Sequence, residues 1–172
     1  MSDLNDFYAK GASFSEQSRL DVSELLDVIP PNGNVHLAIL QPPYLELINE
    51  GTKTIESRFS MNRAAPFGKV AVGDLVLLKH SGQAVSNYFF AAAVHFIDLR
   101  QEGIETVRKD YAQGICAQNQ EEFWQARQNS RYCTLIEIGE KGDIAPLLVY
   151  KKDQRGWVSF VRYNQPGDDT LF

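Results

Sequence analysis

The sequence predicts an α+β fold: a small, partly open β-barrel, mostly antiparallel, with a few short inserted helices. Many short stretches of β-branched and aromatic residues are separated by turns rich in glycine and proline, which is typical of such barrels. The helical stretches between them are few and short. With 172 residues, 44% of them hydrophobic, the chain is long enough for one well-packed domain.

The first elements are predicted to be a helix and a buried strand. Asp21 and Glu24 have the spacing of a capping box, which places a short helix at about residues 22–28. After the turn PPNGN, the stretch VHLAIL is β-branched and apolar enough for a buried strand at residues 35–40. The start of the chain therefore predicts a helix that leads into the sheet.

A second short helix is predicted in QPPYLELINEG. Pro42 and Pro43 suit its entrance, four apolar residues supply one side, and Gly51 suits its end. A strand follows from Lys53, where the apolar pattern changes to a period of two. The remaining elements are strands at 75–80, 88–99, 132–138, 147–152 and 157–161, with helices at 103–113 and 119–128.

Charge is distributed unevenly along the chain, whose net charge is −5. This total argues against a protein that grips nucleic acid with its whole surface. Residues 1–30 hold six acidic and two basic residues, a balance of −4, whereas residues 51–82 hold five basic and two acidic ones, a balance of +3. We therefore predict an acidic N-terminal extension over residues 1–30, a single domain over residues 31–172, and one positive cleft.

Several classes of protein are not expected. No stretch approaches the roughly 20 apolar residues that span a bilayer, and the first ten residues lack the features of a secretory signal, so we expect a soluble cytoplasmic protein. Cys116 and Cys133 are expected to be free thiols. No group of residues has metal-ligand spacing, and we predict neither a metal nor a cofactor.

The positive segment begins with GTKTIESRF, residues 51–59. In a regular strand Lys53, Ile55, Ser57 and Phe59 share one face, while Thr54, Glu56 and Arg58 share the other. We expect Ile55 and Phe59 to be buried, and Glu56 and Arg58 to line a concavity near Lys53. The alternative is an ordinary solvated strand face, in which a Glu56–Arg58 pair contributes about 0–1 kcal/mol.

These residue types suit a phosphate and a base. Lys53, just after a helix end, would offer a flexible ammonium as a point charge, and Arg58 would add a planar fork. Glu56 would accept a hydrogen bond from a base amino group or hold Arg58 in position. Gly51 and Thr52 allow a ligand to approach the backbone closely.

Other candidates lie further along the chain. Lys79 and His80 could rim the cleft or simply end a strand, and Arg131 and Tyr132 open a later strand that could bound the cleft. In the helix at 119–128, Phe123, Trp124 and Arg127 share one side, where the aromatic residues are expected to bury against the sheet. Trp124 as a base-stacking platform is the alternative. His36 and His95, in apolar strands, are predicted to be hydrogen-bonded core residues.

Three segments together resemble the ASCH domain family, which is related to the PUA fold: LAILQPPYLELINEGTKTIESRF, KVAVGDLVLLKHSG and FWQARQNSRYCTLIEI. The similarity is strongest in a G-x-K-T-x-E-x-R element and in a V-G-D turn, formed here by Gly51, Lys53, Thr54, Glu56, Arg58, Val72, Gly73 and Asp74. It spans roughly residues 35–140. The resemblance implies a pseudo-barrel with a cleft suited to RNA or a nucleotide.

The resemblance also raises the question of catalysis. Some family members resemble amidohydrolases of acetylated cytidine that use a lysine, a threonine and a glutamate. Lys53 matches the lysine, but Glu56 stands in place of the threonine, and the glutamate has no counterpart that we can place. The sequence thus favours a domain that binds RNA or a nucleotide through Gly51, Thr52, Lys53, Thr54, Glu56, Arg58, Lys79, Arg131 and Tyr132.

Two alternatives remain open. The first is a small hydrolase, either an amidohydrolase of a modified nucleoside or a ribonuclease, with Lys53 and Glu56 as the catalytic residues. The second is a protein-interaction module, in which the acidic N-terminal segment contacts a protein partner or covers the cleft.

Overall fold

The computed structural model of the chain describes residues 21–149 and 154–160, which contain five helices and six strands. The helices are α1 (Val22–Asp27), α2 (Tyr44–Asn49), α3 (Leu99–Glu102), α4 (Ile104–Ile115) and α5 (Glu121–Gln125). The strands are β1 (Val35–Leu40), β2 (Ile55–Ser60), β3 (Leu75–His80), β4 (Val85–Asp98), β5 (Tyr132–Leu147) and β6 (Trp157–Phe160). None of these helices is long and apolar enough to cross a membrane.

The six strands form one mixed sheet in the order β2-β5-β4-β3-β1-β6. β1 and β3 are parallel, and the other neighbouring pairs are antiparallel. The two ends of this order come together, because Arg58 of β2 donates to the carbonyl oxygens of Ile39 in β1 (3.1 Å) and of Gly156 just before β6 (3.2 Å). The sheet therefore curls into a half-barrel, which confirms the predicted fold class.

Most predicted elements are present, and the differences concern the ends of several elements, one additional short helix and the strand predicted at 147–152. β5 continues to Leu147, well beyond the predicted strand at 132–138, because it pairs with β4 along its length through register shifts that bend both strands. Leu148 and Val149, predicted to lie in a strand, do not, and residues 150–152 lie outside the described residues. The short helix α3, capped by Asp98, was not predicted.

α1 packs into the main core. Asp21 caps it by accepting the N–H of Ser23 at 2.9 Å, and the helix buries its apolar side against strands β1, β3 and β6. The buried residues of this cluster include Val22, Leu25, Leu26, Leu37, Leu77 and Val158. Part of the acidic N-terminal segment thus belongs to the packed core, while residues 1–20 lie outside the described residues.

A buried polar network joins β1, β6 and the turn before β3. His36 is completely buried; its Nδ1 lies 2.8 Å from Oγ of Ser159 and its Nε2 lies 2.9 Å from Oδ2 of Asp74. Asp74 also accepts the backbone N–H groups of Asn34 and Ala71, each at 2.9 Å. The prediction that His36 is a hydrogen-bonded core residue is confirmed.

The prediction that His95 is a core residue is wrong. Its side chain is 40% exposed, its Nε2 lies 3.1 Å from Oε1 of Glu137, and its ring contacts Tyr111 of α4. The reason is that α4 covers only part of this face of β4. Trp124, in contrast, is buried as predicted and donates its Nε1 to the carbonyl of Ala117 at 2.9 Å.

Both cysteines are free, as predicted. Cys133 lies in the core beneath α4 and α5, where burial raises the pKa of its thiol to about 12. Cys116 is half-buried and ends α4 with a left-handed backbone conformation (φ 66°).

Candidate functional site

β2 carries the candidate residues on an edge of the sheet. Ile55 and Phe59 pack on one face against the cluster formed with α4 and α5, while Glu56 and Arg58 lie on the opposite face. The alternation therefore follows the prediction, but the burial does not. Ile55 and Phe59 are only half-buried, because two short helices cover an edge strand incompletely, whereas Glu56 is 3% exposed inside the half-barrel.

Lys53 departs from the expected arrangement. Lys53 precedes β2, so its side chain does not follow the alternation of strand faces. Its backbone N–H donates to the carbonyl oxygen of Leu47 at 3.0 Å. Its Nζ donates to the carbonyl oxygens of Ile55 (2.7 Å) and Ile115 (3.2 Å) and lies 3.5 Å from Oε2 of Glu56. The expectation of a flexible ammonium is wrong, since the side chain is 3% exposed and held by these partners.

The environment of Lys53 opposes its charge. Burial lowers the pKa of this amine, and the carboxylate of Glu56 acts in the other direction. A lysine with a lowered pKa reaches the neutral, nucleophilic form more easily than an exposed one. Lys53 is therefore placed for structure or for chemistry rather than as a mobile phosphate clamp.

Glu56 and Arg58 form a partly buried ion pair, in which Glu56 is enclosed and Arg58 is half-buried. Nε of Arg58 donates to Oε1 of Glu56 at 2.8 Å, and the same guanidinium lies 5.4 Å from the ring centroid of Trp157. With its bonds to Ile39 and Gly156, Arg58 links the two ends of the curled sheet. The alternative of a solvated strand face is thus wrong, since Glu56 is enclosed, and the contact with Arg58 fits one of the two roles considered for Glu56.

A cavity of about 430 Å³ opens beside this pair, between β2, the end of β1, α2 and α5. Its wall combines cationic, acidic and aromatic groups. The charged residues are Lys53, Glu56, Arg58 and Arg127, and the aromatic residues are Tyr44, Phe59 and Phe123. Sequence analysis had not placed Tyr44, Phe123, Arg127 or Ser130, which also lines the cavity, among the site residues.

Arg127 is the cation best placed to meet a ligand. Its guanidinium carbon lies 3.6 Å from the ring centroid of Phe123 and 5.6 Å from that of Phe59, and its Nη1 donates to the carbonyl of Phe123 at 2.9 Å. Burial lowers its pKa, and the nearby Arg58 adds to this effect. An anion in the cavity would offset the electrostatic cost of holding this partly buried guanidinium near Arg58. The spacing of four between Phe123 and Arg127 on one helix side was the only sequence signal.

Six of the nine predicted binding residues lie outside the lining of the cavity: Gly51, Thr52, Thr54, Lys79, Arg131 and Tyr132. Gly51 ends α2 with a positive φ of 82°, and Thr54 joins β2 to α4 through its backbone N–H, which donates to Gly114. Lys79 is buried in β3, and Thr52 is exposed.

Arg131 and Tyr132 lie at the other end of β2. The backbone N–H of Arg131 donates to the carbonyl oxygen of Ser60 at 2.9 Å, and the guanidinium groups of Arg63 and Arg100 lie 5.4 Å and 5.2 Å from the ring centroid of Tyr132. His80, the other strand-end candidate, is held by the carbonyl of Leu40 and by Glu46. Of the nine predicted binding residues, therefore, only Lys53, Glu56 and Arg58 line the cavity.

Comparison with solved structures identifies the architecture. The crystal structure of ASCH from Zymomonas mobilis superposes with a TM-score of 0.52 over 66% of this chain and 72% of that chain, at 17% identity. A serine-to-alanine mutant of the same protein gives a TM-score of 0.52 over 69% and 76% of the two chains, at 16% identity. The chain has an ASCH-like fold. No protein-family model matches the sequence of this ASCH-like domain, and no curated protein sequence does.

The residues that the structure describes contain no cluster of metal-ligating side chains. Across residues 21–149 and 154–160, no three His, Cys, Asp or Glu side chains lie close enough together to hold a metal ion. The acidic member of the cavity wall, Glu56, is instead paired with Lys53 and Arg58. The chemistry of the cavity is therefore that of cations, aromatic rings and one carboxylate.

Proposed function

We propose that this ASCH-like domain binds RNA or a nucleotide in the cavity beside Glu56 and Arg58. The observation that carries the proposal is the composition of the wall, in which guanidinium groups, aromatic rings and one buried carboxylate converge on about 430 Å³. Ligand cavities of roughly 300–1,000 Å³ hold small organic molecules, and the size suits a single nucleotide.

The aromatic residues supply surfaces for a base. Tyr44 of α2 and Phe123 of α5 both line the cavity. Stacking of a base on an aromatic side chain contributes about 1–3 kcal/mol and tolerates different bases. Glu56 adds an acceptor for an exocyclic amino group, which is how carboxylates recognise cytosine.

The cations supply the complement of a phosphate. Arg58 and Arg127 both face the cavity, and the partly buried guanidinium of Arg127 is repelled by Arg58. A phosphate between them would be drawn by two planar forks that suit its oxygens. The cavity thus concentrates positive charge within a chain of net charge −5.

The proposal predicts a change in salt dependence when Arg127 is replaced. Arg127→Ala should weaken the binding of a short single-stranded RNA and flatten the plot of log K against log salt by about 0.7, the value for one lost phosphate contact. Arg127→Lys should restore the slope and only part of the affinity, because a point charge lacks the fork. Fluorescence anisotropy with a labelled RNA measures both.

Lys109→Ala is the matched control, because this cation is exposed on α4 and does not line the cavity. Its slope and affinity should equal those of the wild type. Arg58→Ala is a less specific variant, since Arg58 also joins the ends of the sheet. Identical slopes for wild type, Arg127→Ala and Lys109→Ala would contradict the proposal.

A second candidate function, hydrolysis of the bound nucleotide or RNA, is favoured by the lowered pKa of Lys53 beside Glu56. A neutral amine there would act as base or nucleophile, and Glu56 would exchange the proton. The opposing observation is that the Nζ group of Lys53 is already engaged by two carbonyl oxygens.

For acetylated cytidine we expect no release of acetate by the purified protein. Glu56 occupies the position at which the amidohydrolases resembled by this sequence have a threonine, so that catalytic set is incomplete. Chromatography of the reaction mixture would measure free cytidine and acetate. Turnover in the wild type that disappears in Glu56→Gln, with both proteins folded by circular dichroism, would promote the hydrolase over the binding domain.

A further inference from the structure

A second cavity, of about 650 Å³, adjoins the first at the start of α5. The two cavities share three wall residues, Tyr44, Phe123 and Arg127. We call the cavity beside Glu56 the inner cavity and the second one the outer cavity. Since the same three side chains line both, the cavities are two parts of one groove that meet at this shared wall.

The shared wall is held from both sides. On the inner side, Nζ of Lys53 lies 5.2 Å from the ring centroid of Tyr44. On the outer side, the hydroxyl of Tyr44 donates to Oε1 of Gln120 at 3.3 Å, and Nε2 of Gln120 donates to the carbonyl of Cys116 at 2.7 Å. Arg127 is fixed over the ring of Phe123. The wall therefore presents two rings and one guanidinium in fixed positions.

The outer cavity has a different chemistry from the inner one. Apart from Arg127 and the hydroxyl of Tyr44, its polar lining consists of the amides of Asn119 and Gln120 and the carboxylates of Glu121 and Glu122. Glu121 is engaged by Arg108, which lowers the pKa of that carboxyl. A carboxylate and an amide recognise base edges that carry an amino group, and the carboxylates repel a phosphate. The outer cavity thus suits a base, and Arg127 is where a phosphate fits.

We propose that the groove binds two adjacent nucleotides of single-stranded RNA, with one base in each cavity and Arg127 in contact with the phosphate that joins the two nucleosides. This inference rests on the proposed function and extends it from one nucleotide to two. Single-stranded RNA suits such a groove, because its bases are free to separate and to stack on different rings.

Titration calorimetry with CMP, the dinucleotide CpC and the dinucleotide UpU tests the proposal. CpC carries one phosphodiester charge and CMP carries nearly two, so charge alone would favour CMP. We expect CpC to bind about tenfold more tightly than CMP, as a second stacked base predicts. CpC should also bind more tightly than UpU, because uracil has a carbonyl oxygen where cytosine has its amino group.

Variants separate the two cavities. The double variant Asn119→Ala/Glu122→Ala should reduce CpC affinity to about that of CMP and leave CMP affinity unchanged. Gln128→Ala changes an exposed residue outside both cavities and should alter the affinity for neither ligand. Thermal unfolding of each variant checks that the fold is intact.

Equal affinities of the wild type for CMP and CpC, or an equal loss of both ligands in the double variant, would overturn the two-nucleotide site while the proposed function stands. Absence of binding by all three ligands would overturn the proposed function itself and this inference with it.

Discussion

Asp74→Ala is expected to lower the free energy of unfolding by about 3 kcal/mol. The substitution leaves Nε2 of the completely buried His36 without an acceptor, at a cost of roughly 1–3 kcal/mol, and it also removes the acceptor of the partly buried hydrogen bonds from the N–H groups of Asn34 and Ala71. Asp74 is 1% exposed, so water cannot easily replace the lost carboxylate. Urea-induced unfolding followed by circular dichroism measures the change.

Asp110→Ala provides the matched control, since it removes the same atoms from an exposed position on α4. It should change the free energy of unfolding by less than about 0.5 kcal/mol. The loss for Asp74→Asn should lie between those for Asp74→Ala and Asp110→Ala, because the amide keeps one acceptor oxygen but places an NH₂ group next to other donors. A loss below about 1 kcal/mol for Asp74→Ala would show that the network contributes little.

Lys53→Met is expected to destabilise the protein by about 3 kcal/mol. Removing one member of a buried ion pair typically costs about 3–5 kcal/mol, and the lower end applies because Arg58 still pairs with Glu56. The carbonyl oxygens of Ile55 and Ile115 also lose their donor. Urea-induced unfolding is the measurement, and Lys69→Met, an exposed lysine outside the cavity, is the control.

The double variant Lys53→Met/Glu56→Gln gives a second criterion. Glutamine still accepts from Arg58 but carries no charge, so the double variant should regain part of the lost stability. If the double variant is as unstable as Lys53→Met alone, the lost stability comes from the carbonyl oxygens and from packing rather than from the unpaired carboxylate.

The pH dependence of the free energy of unfolding also tests the burial of Lys53. Burial lowers the pKa of Lys53 below its ordinary value of 10.5, so the folded protein releases this proton at a lower pH than the unfolded chain does. Between the two pKa values the unfolded chain binds more protons, and the free energy of unfolding therefore rises with pH. Lys53→Met should lack this rise.

The sequence determined the local elements because their signals are local. The apolar run at residues 35–40 gave β1 its bounds, Asp21 marked the start of α1, and Gly51 marked the end of α2. The alternation of Glu56 and Arg58 against Ile55 and Phe59 also followed from the period of a strand.

Tertiary structure alone decided which groups meet. His36 and Asp74 are 38 positions apart, and their contact depends on the parallel pairing of β1 with β3, which no local pattern encodes. His95 looked buried because its neighbours are apolar, yet its exposure depends on how far α4 reaches.

The cavity shows the same division. The resemblance and the charge pattern selected Lys53, Glu56 and Arg58, but they also selected Tyr132, which lies at the far end of β2, and they omitted Arg127. The sequence by itself determined which residues have binding chemistry and on which strand face they lie. Only the tertiary structure decided that Lys53 is enclosed and that Arg127, just after α5, lines the same cavity as Arg58, because burial and proximity arise from packing between segments distant in sequence.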